Sequence, residues 1–599
     1  MLDIFTNRRA LLRGAAALSG GTAASLLFPS WSRSQMAHEH HGTVDPGQGV
    51  LSGEEIKLSI GHSAFKLGGR TGHAVTVNGT LPAPLIRLRE GQNVRIAVTN
   101  HLDEDSSIHW HGILLPFQMD GVPGISFPGI KPHQTFTYEF PVKQAGTYWY
   151  HSHSNMQEAM GLYGPLVIDP AHHDPVVYDR EHVIVLSDWS FMHPHTMMKK
   201  LKQQPDYFNR QQNAMFDGRP PSASERLEWG KMRMSPADIS DVTGATYDFL
   251  VNGHAPDDNW TGLFRPGERV RLRIINASAM TIFNIRTPGL HMNVVNADGQ
   301  DVRPVQTQEF QIGVAETYDV VVTPDNQAYT LMAETIDRSG YARATLAPQQ
   351  GMTAPVPPLR ERPTLTMRDM GMDMAAMAGM EGHGNMSHGE MNHSMRDGSN
   401  APGVKLTPGV EMIAPMPVDR TGDRGLGLDK VPHHVLTYTD LEALVPSKDQ
   451  RPPSRMVEIH LTGSMERYMW SFDGEKFTEQ KEPIKLARNE RVRFKLVNDT
   501  MMTHPIHLHG FFFDLVNGKG ANQPRKHTVN VLPGGFVQFD VTADAPGDWA
   551  FHCHLLMHMH AGMFNVVTVR PLDDAPVKDT PPPTLQDHKG HHGHAGGAA

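Results

Sequence analysis

The chain has 599 residues, too many for one ordinary core, so we expect about three domains. Its net charge of -10 gives no reason to expect a nucleic acid or an anionic membrane surface as a partner. Cys553 is the only cysteine, which excludes an intramolecular disulfide, whereas 36 histidines and 34 methionines stand out.

The N-terminal segment has the pattern of an export signal. Arg8-Arg9 resembles a twin-arginine motif, and an apolar stretch follows over 14–28. That stretch is shorter than the roughly 20 residues of a membrane-spanning helix. We therefore predict a twin-arginine signal peptide over 1–37, export to the periplasm by the twin-arginine machinery, and no stable membrane anchor.

A repeat occurs three times along the rest of the chain. Each copy has a turn at Asn78-Gly79, Asn252-Gly253 or Asp473-Gly474, followed by a strand-like segment that ends in Asn100, Asn276 or Asn498. Apolar and polar residues alternate in that segment, which is typical of a half-buried antiparallel strand. With frequent Gly and Pro turns, the pattern predicts an all-β protein of three β-sandwich domains, over 50–172, 180–350 and 431–572.

Two segments differ in composition from these domains. Residues 351–430 are rich in Met, Gly and Pro and are predicted to form a flexible insertion, and 573–599 form a histidine-rich tail. Nine methionines and three histidines lie between Met367 and Met395, among polar residues that would not form a core. Thioethers are soft ligands, so the insertion is expected to bind additional labile Cu(I).

Eight His-x-His pairs occur, whereas chance alone would give about two. The position of each pair in the sequence must therefore show which pairs are functional. Four pairs lie in strand-like, apolar contexts, whereas His193/His195 flank a proline in a loop. Residues i and i+2 of a strand point to the same face. Four such strands would present eight imidazoles to a space between the first and third domains, enough to hold three copper ions. The four pairs are His109/His111, His151/His153, His507/His509 and His552/His554.

Cys553 lies between two of these histidines, so its side chain must point to the opposite face. His558 and Met563 follow it closely, and His504 has the odd spacing that turns it away from His507. Two histidines, one thiolate and a weak axial methionine form a blue-copper site. The sequence thus predicts an electron-transfer copper joined through one strand to a copper cluster.

These motifs resemble those of the multicopper oxidase family, which includes laccases, cuprous oxidases and ascorbate oxidase. The resemblance implies cupredoxin-like Greek-key domains, a middle domain without copper ligands, and four copper ions. It assigns His504, Cys553, His558 and Met563 to the type 1 copper and His109 and His507 to type 2. It assigns His111, His151 and His554 to one type 3 copper and His153, His509 and His552 to the other.

Asp120 lies nine residues after His111, where similar oxidases have an acid that relays protons to O2. An aspartate before glycine is also common in turns, so the alternative interpretation is that Asp120 is only a turn residue.

The export signal, three domains and Met/His-rich segments together resemble the copper resistance protein A family. We therefore expect an enzyme that oxidises Cu(I), or another small reducing substrate, with O2. The alternatives are a laccase-like phenol oxidase and a periplasmic copper-sequestering protein.

Overall fold

Strands dominate the fold and form six sheets, two in each of three sandwiches. The sandwiches follow one another along the chain, except that Val418–Asp419 joins the third and Val435–Leu436 joins the second. The computed structural model describes residues 49–209, 222–224, 227, 235–372 and 395–571. The predicted signal peptide, the tail and residues 373–394 of the methionine-rich run lie outside these ranges. Among the described residues, no helix is long and apolar enough to cross a membrane. The predicted all-β class is confirmed.

The first sandwich consists of a five-stranded and a four-stranded sheet that share one apolar core, with Ile96, Trp110 and Tyr138 inside it. The five strands, in spatial order, are Val50–Ser52, Leu85–Arg89, Tyr163–Asp169, Gly146–His151 and His109–His111. The four strands are Arg70–Val77, Glu55–Leu67, Asn93–Asn100 and Thr135–Pro141.

The second sandwich consists of two six-stranded sheets. The strands of one are Asp248–Val251, Arg180–Trp189, Val270–Asn276, Thr317–Val322, Met292–Ala297 and Gln300–Thr307. Those of the other are Trp260–Leu263, Tyr341–Ala347, Tyr329–Thr335, Phe283–Arg286, Glu309–Ile312 and Val435–Leu436.

The third sandwich consists of a seven-stranded and a five-stranded sheet. The seven strands are Met469–Phe472, Arg455–Ser464, Arg491–Asn498, Gly535–Thr542, Phe513–Leu515 and Arg525–Lys526, with Val418–Asp419 beside Gly535–Thr542. The five are Ile484–Ala487, Phe564–Arg570, Gly547–Cys553, His504–Leu508 and Thr528–Val531.

Helices are short in the described part of the chain. The α-helices are Pro194–Gln203 and Leu556–Ala561. Single 3-10 turns are Phe117–Met119, Glu158–Met160, Met367–Met370, Gly398–Asn400, Tyr438–Asp440, Phe477–Glu479 and Gly520–Asn522.

The three-fold repeat has the same turn geometry in every copy. Asn78, Asn252 and Asp473 have φ values of 53°, 52° and 52°, and the glycine after each is also left-handed. Two consecutive left-handed residues form the tight turn that suits the twist of a β-hairpin, and Asn-Gly and Asp-Gly adopt it most easily. The repeated dipeptide therefore marks a structurally equivalent hairpin in each sandwich.

The repeated strand has one antiparallel and one parallel neighbour, whereas its alternation alone suggested antiparallel pairing. Asn93–Asn100 pairs antiparallel with Thr135–Pro141 but parallel with Glu55–Leu67. The equivalent strands of the other two sandwiches pair in the same way. Parallel pairing needs a long connection between the two strands. Here the rest of the hairpin and one further strand lie between them in the sequence and provide that connection.

The middle copy differs from the predicted half-buried strand, because every residue of Val270–Asn276 is buried. The Arg273 side chain, 2% exposed, lies 2.8 Å from Glu181 and 3.0 Å from Asp319. It also donates to Thr147 Oγ1 of the first sandwich at 2.8 Å. The polar face of this strand is therefore covered by the strand Gly146–His151, which carries a predicted metal ligand.

Both ends of the segment 351–430 pack against the sandwiches. Arg360 bridges the buried Glu309 and Glu334, and Met370 is fully buried. Further along, Val410 and Ile413 belong to a small apolar core. The described ends of the insertion are thus held in place on either side of 373–394.

Candidate metal centres

Two pairs of neighbouring strands bring the eight paired histidines together. His109 lies opposite His151 in the first sandwich, and His507 lies opposite His552 in the third. Seven of the eight are no more than 2% exposed, and His153 is partly exposed. Because side chains alternate along a strand, each pair projects both rings into the same space.

Rings from the two sandwiches interleave in this space. The His109 and His509 rings stack with centroids 3.9 Å apart, and those of His111 and His507 stack at 3.8 Å. The Nε2 atoms of His153 and His552 are 3.4 Å apart. The eight histidines therefore form a single cluster between the first and third sandwiches, as the sequence predicted.

Several ring nitrogens of the cluster face inward without a hydrogen-bond partner. They are Nε2 of His109, His151, His507 and His554, and Nδ1 of His111. The opposite nitrogen is anchored, since His109 Nδ1 donates to the Asp120 carbonyl and His507 Nδ1 to the His527 carbonyl, both at 2.7 Å. Such anchoring leaves a lone pair directed into the cluster, the arrangement that metal-binding histidines adopt. Buried polar atoms without partners are rare and need a ligand such as an ion.

Burial favours the neutral form of seven of the eight imidazoles by lowering their pKa values. It lowers the pKa of His552 to about 4, and it lowers those of His111, His507 and His554 well below 6.5, with mutual repulsion among the rings as a further cause. Metals bind the neutral form of histidine, so the site favours a cation without first having to lose protons.

Cys553 forms a second site on the opposite face of its strand. Its Sγ lies 3.5 Å from His504 Nδ1 and 3.9 Å from His558 Nδ1, and those two nitrogens are 3.2 Å apart. All three residues are fully buried. Burial also raises the pKa of the Cys553 thiol, so a metal ion would have to replace its proton to give the thiolate.

Neighbouring residues orient the two histidines of this second site. Thr500 Oγ1 lies 2.7 Å from His504 Nε2, and Asp241 Oδ2 lies 2.7 Å from His558 Nε2. The Trp470 ring stacks on His558 with centroids 3.9 Å apart. Met563 is fully buried beside the site, and its carbonyl accepts a hydrogen bond from the Cys553 backbone.

Asp120 is buried, unlike a surface turn residue, and touches two cluster histidines. Its Oδ2 lies 2.8 Å from His509 Nδ1, and its Oδ1 lies 3.4 Å from His109 Nδ1. A carboxylate here can orient both rings and hold a proton at the edge of the cluster.

Sequence reasoning missed three residues of these sites. His527 joins His111 and His507 in one possible ligand group, and Glu158 Oε2 lies 2.8 Å from His151 Nδ1. Asp241, which contacts His558, comes from the second sandwich. None of the three belongs to a His-x-His pair or to another local motif, so only the fold reveals them.

The ligand atoms of the histidine cluster and of the Cys553 site both suit copper. Imidazoles with inward lone pairs suit copper, and a thiolate with two imidazoles is the ligand set of a blue-copper site. Together with three β-sandwiches, these two sites define the class of copper-binding oxidases that move single electrons between metal centres.

Comparison with known proteins agrees with this class. Family models described as multicopper oxidase match residues 60–173, 180–353 and 450–573. A copper resistance protein A homolog of Pseudomonas syringae pv. tomato is 47% identical, over 94% of this chain and 99% of that protein. Copper resistance protein A of Escherichia coli is 46% identical over the same shares. The chain belongs to the multicopper oxidase family, as its motifs predicted.

More distant proteins share the fold. Multicopper oxidase MmcO of Mycobacterium tuberculosis is 31% identical, over 83% of each chain. The solved laccase of Botrytis aclada is 22% identical, with a TM-score of 0.60 over 87% of this chain and 88% of that one. Because the chain belongs to the multicopper oxidase family, it is a copper-containing oxidoreductase that uses O2 and a reducing substrate.

Proposed function

We propose that this enzyme is a copper(I) oxidase that acts in copper resistance. Four Cu(I) ions each lose one electron, and one O2 takes up four electrons and four protons to give two waters. When bound, the resident coppers supply the electron transfer and the O2 chemistry. The names of the two relatives at 46–47% identity support the role in resistance.

The proposed cofactors are four copper ions: one type 1, one type 2 and two type 3. The type 1 ligands are His504, Cys553, His558 and Met563. The type 2 ligands are His109 and His507, and the type 3 ligands are His111, His151, His153, His509, His552 and His554. The buried thiol and the inward-facing nitrogens support this assignment. Our domain limits are 50–172, 180–350 and 431–572, and the family matches over 60–173, 180–353 and 450–573 support three domains in these regions. The strand Val435–Leu436 at the start of the third range pairs with the second sandwich.

A cavity beside the proposed type 1 site is the observation that favours Cu(I) as substrate. Its lining includes four methionines, Met412, Met465, Met501 and Met502, and three acids, Asp238, Glu411 and Asp499, and we call it the methionine cavity. Trp470, which stacks on His558, forms part of its wall. Thioethers prefer Cu(I), and carboxylates attract any cation, so the lining suits this substrate.

In the absence of a cation, negative charge on Asp238 is unfavourable in this cavity. Burial raises the pKa of Asp238 to about 8, and the nearby Asp241 and Glu411 add to the effect. A bound monovalent cation would relieve that repulsion. Asp241 in turn contacts His558, so this group of acids extends from the cavity to a type 1 ligand.

The size of the methionine cavity disfavours phenols. Its volume of about 30 Å³ leaves room for an ion or one or two waters, but not for an aromatic ring. Met465 and Glu411 are partly exposed, whereas Met412 and Met502 are buried. An ion can therefore enter from solvent past Met465 toward Trp470.

Asp120 is proposed to deliver protons for O2 reduction. Its carboxylate lies against His509 and His109, where the cluster borders the 3-10 turn Phe117–Met119. A carboxyl held there can donate a proton to reduced oxygen and be reprotonated from solvent.

We also propose that the twin-arginine segment directs export of the enzyme to the periplasm, where it would oxidise Cu(I) before the ion reaches the cytoplasm. The methionine-rich run between Met367 and Met395 would bind additional labile Cu(I) there.

The test is O2 uptake by the copper-loaded enzyme with Cu(I) or with a phenol as the only reductant. Replacing Met412 and Met465 together by Leu keeps the side-chain volume but removes two thioethers. We expect a KM for Cu(I) raised by roughly tenfold, with the blue absorbance and the phenol rate unchanged.

Met197→Leu, in the helix Pro194–Gln203, is the matched control, since Met197 is a buried methionine outside the cavity. An enzyme that consumes O2 with phenols but not with Cu(I) would refute the proposed substrate. An unchanged KM in the double variant would refute the role of the methionine cavity.

A further inference from the structure

A second group of metal-binding side chains lies outside the copper sites described above. A cavity of about 270 Å³ is lined by four imidazoles, those of His62, His73, His193 and His195. We call it the four-histidine cavity. Imidazole is the commonest metal ligand in proteins, so four of them around one cavity make it a candidate metal site.

The backbone holds these residues in two pairs. In the hairpin Glu55–Leu67/Arg70–Val77, Ala64 lies opposite His73 and Val75 opposite His62. The two histidines are therefore diagonal neighbours on one face, and their ring centroids are 4.5 Å apart. His193 and His195 begin the helix Pro194–Gln203, and their rings stack at 5.4 Å.

Negative charge is also placed in this cavity. Glu104 lies in its lining, and its carboxylate accepts hydrogen bonds from Asn155 Nδ2 and Gln157 Nε2, each at 2.8 Å. Asp103 lines the same space. The two amide donors fix the Glu104 carboxylate while leaving its charge uncompensated by any cationic side chain of the lining.

The electrostatics at His193 agree with a metal-binding role. Desolvation lowers its pKa, the nearby His195 and His73 lower it further, and Glu104 opposes them. His193 therefore interacts electrostatically with His73 of the other pair and with the Glu104 carboxylate. A neutral imidazole is the form that coordinates a metal.

We propose that the four-histidine cavity binds one Cu(II) ion in addition to the four coppers of the oxidase. Among divalent first-row metals Cu(II) binds nitrogen and oxygen donors most tightly, and it is the product that the proposed reaction releases. All four histidines are exposed and line the same cavity, so their rings can change rotamer toward a bound ion at little cost in packing. Binding is therefore expected to be reversible and weaker than at the buried sites.

The test uses the full-length enzyme already loaded with its four coppers. It is titrated with Cu(II) against a competing chelator, the bound ions are counted by metal analysis, and nitrogen ligation is read from the hyperfine pattern in EPR. The two cavity variants are His62→Ala/His73→Ala and His193→Ala/His195→Ala. The control is His172→Ala/His173→Ala, which removes an exposed pair outside the cavity.

We expect each cavity variant to bind one Cu(II) fewer than the parent, or to bind that ion roughly tenfold or more weakly. The control variant should match the parent. All variants should keep the blue absorbance and the rate of O2 uptake with Cu(I), which shows that the fold and the oxidase sites are intact. Glu104→Gln should weaken the additional ion without removing it.

Equal Cu(II) binding by the parent and both cavity variants would overturn the proposal. So would a parent that binds no Cu(II) beyond its four coppers, or a control variant that loses as much as the cavity variants do. The outcome is independent of the proposed substrate, because it counts bound Cu(II) rather than turnover.

Discussion

Removing copper should make the enzyme unusually sensitive to acid. The cluster then holds neutral imidazoles whose protonation is opposed by burial, and the pKa of His552 is lowered to about 4. A histidine in the unfolded chain has a pKa of about 6.5. The unfolded chain therefore binds more protons, and the free energy of unfolding falls as the pH drops through 6.5 and levels off below the folded pKa.

The size of the effect follows from His552 alone. At pH 5 the unfolded histidine is protonated and the folded one is not. That pH is about 1.5 pH units below the unfolded pKa, and each pH unit is worth about 1.4 kcal/mol, so His552 contributes about 2 kcal/mol of destabilisation. Six further cluster histidines have lowered pKa values. A few such contributions approach a typical total stability of about 5–15 kcal/mol.

The assay is a urea titration, followed by tryptophan fluorescence, of copper-free and copper-loaded protein at pH 7.5, 6 and 5. Buried acids such as Asp473, whose pKa burial raises to about 6, act in the opposite direction. In the copper-loaded protein the metal occupies the same imidazoles and adds its binding free energy, so this form should remain folded at pH 5. A copper-free protein whose free energy of unfolding is the same at pH 5 and pH 7.5 would refute the reasoning.

Four substitutions test the individual residues. Cys553→Ser should abolish the blue absorbance and turnover while the unfolding midpoint stays near that of the parent, and a variant that remains blue would contradict the type 1 assignment. The oxidised His554→Ala variant should still be blue, but after reduction its blue band should return more slowly when O2 is added in stopped flow. Reoxidation at the rate of the parent would show that the cluster lies elsewhere. Asp120→Asn should keep all coppers and slow O2 reduction by about 10²-fold, most at high pH where protons are scarce, and an unchanged pH profile would leave Asp120 a purely structural residue. Asp241→Asn should raise the type 1 potential by roughly 65–130 mV in a redox titration, because a charge-assisted hydrogen bond of about 1.5–3 kcal/mol to His558 is lost; an unchanged potential would show that Asp241 does not influence the metal.

Local spacing was enough to predict the parts of the site that lie on single strands. The alternation in His552-Cys553-His554 determines which face each side chain takes, whatever the rest of the fold does. The same rule places His507 and His509 together and turns His504 away from them. The distances observed around Cys553 agree with that prediction.

Contacts between distant segments could not be predicted in this way. The methionine cavity combines Met412, Met465 and Met501, which come from three separate stretches of chain. Each of them alone looks like an ordinary core methionine. Likewise, Arg273 occupies a position that alternation marks as solvent-facing, yet the first sandwich covers it. Sequence periodicity describes one strand at a time and carries no information about which sandwich packs on its outer face.

The strand Gly547–Cys553 explains why the two proposed copper sites are coupled. It pairs with His504–Leu508, so that Ile506 lies opposite Cys553 and His507 opposite His552. Both strands therefore carry ligands of both sites, and the His554 backbone continues the ladder with a 2.7 Å hydrogen bond to Pro505. A slip of one residue would move Cys553 into the cluster and its neighbours out of it. Under the proposed function, the His-Cys-His order joins the thiolate to the cluster histidines through one short stretch of covalent bonds, which would carry the electron between the two sites.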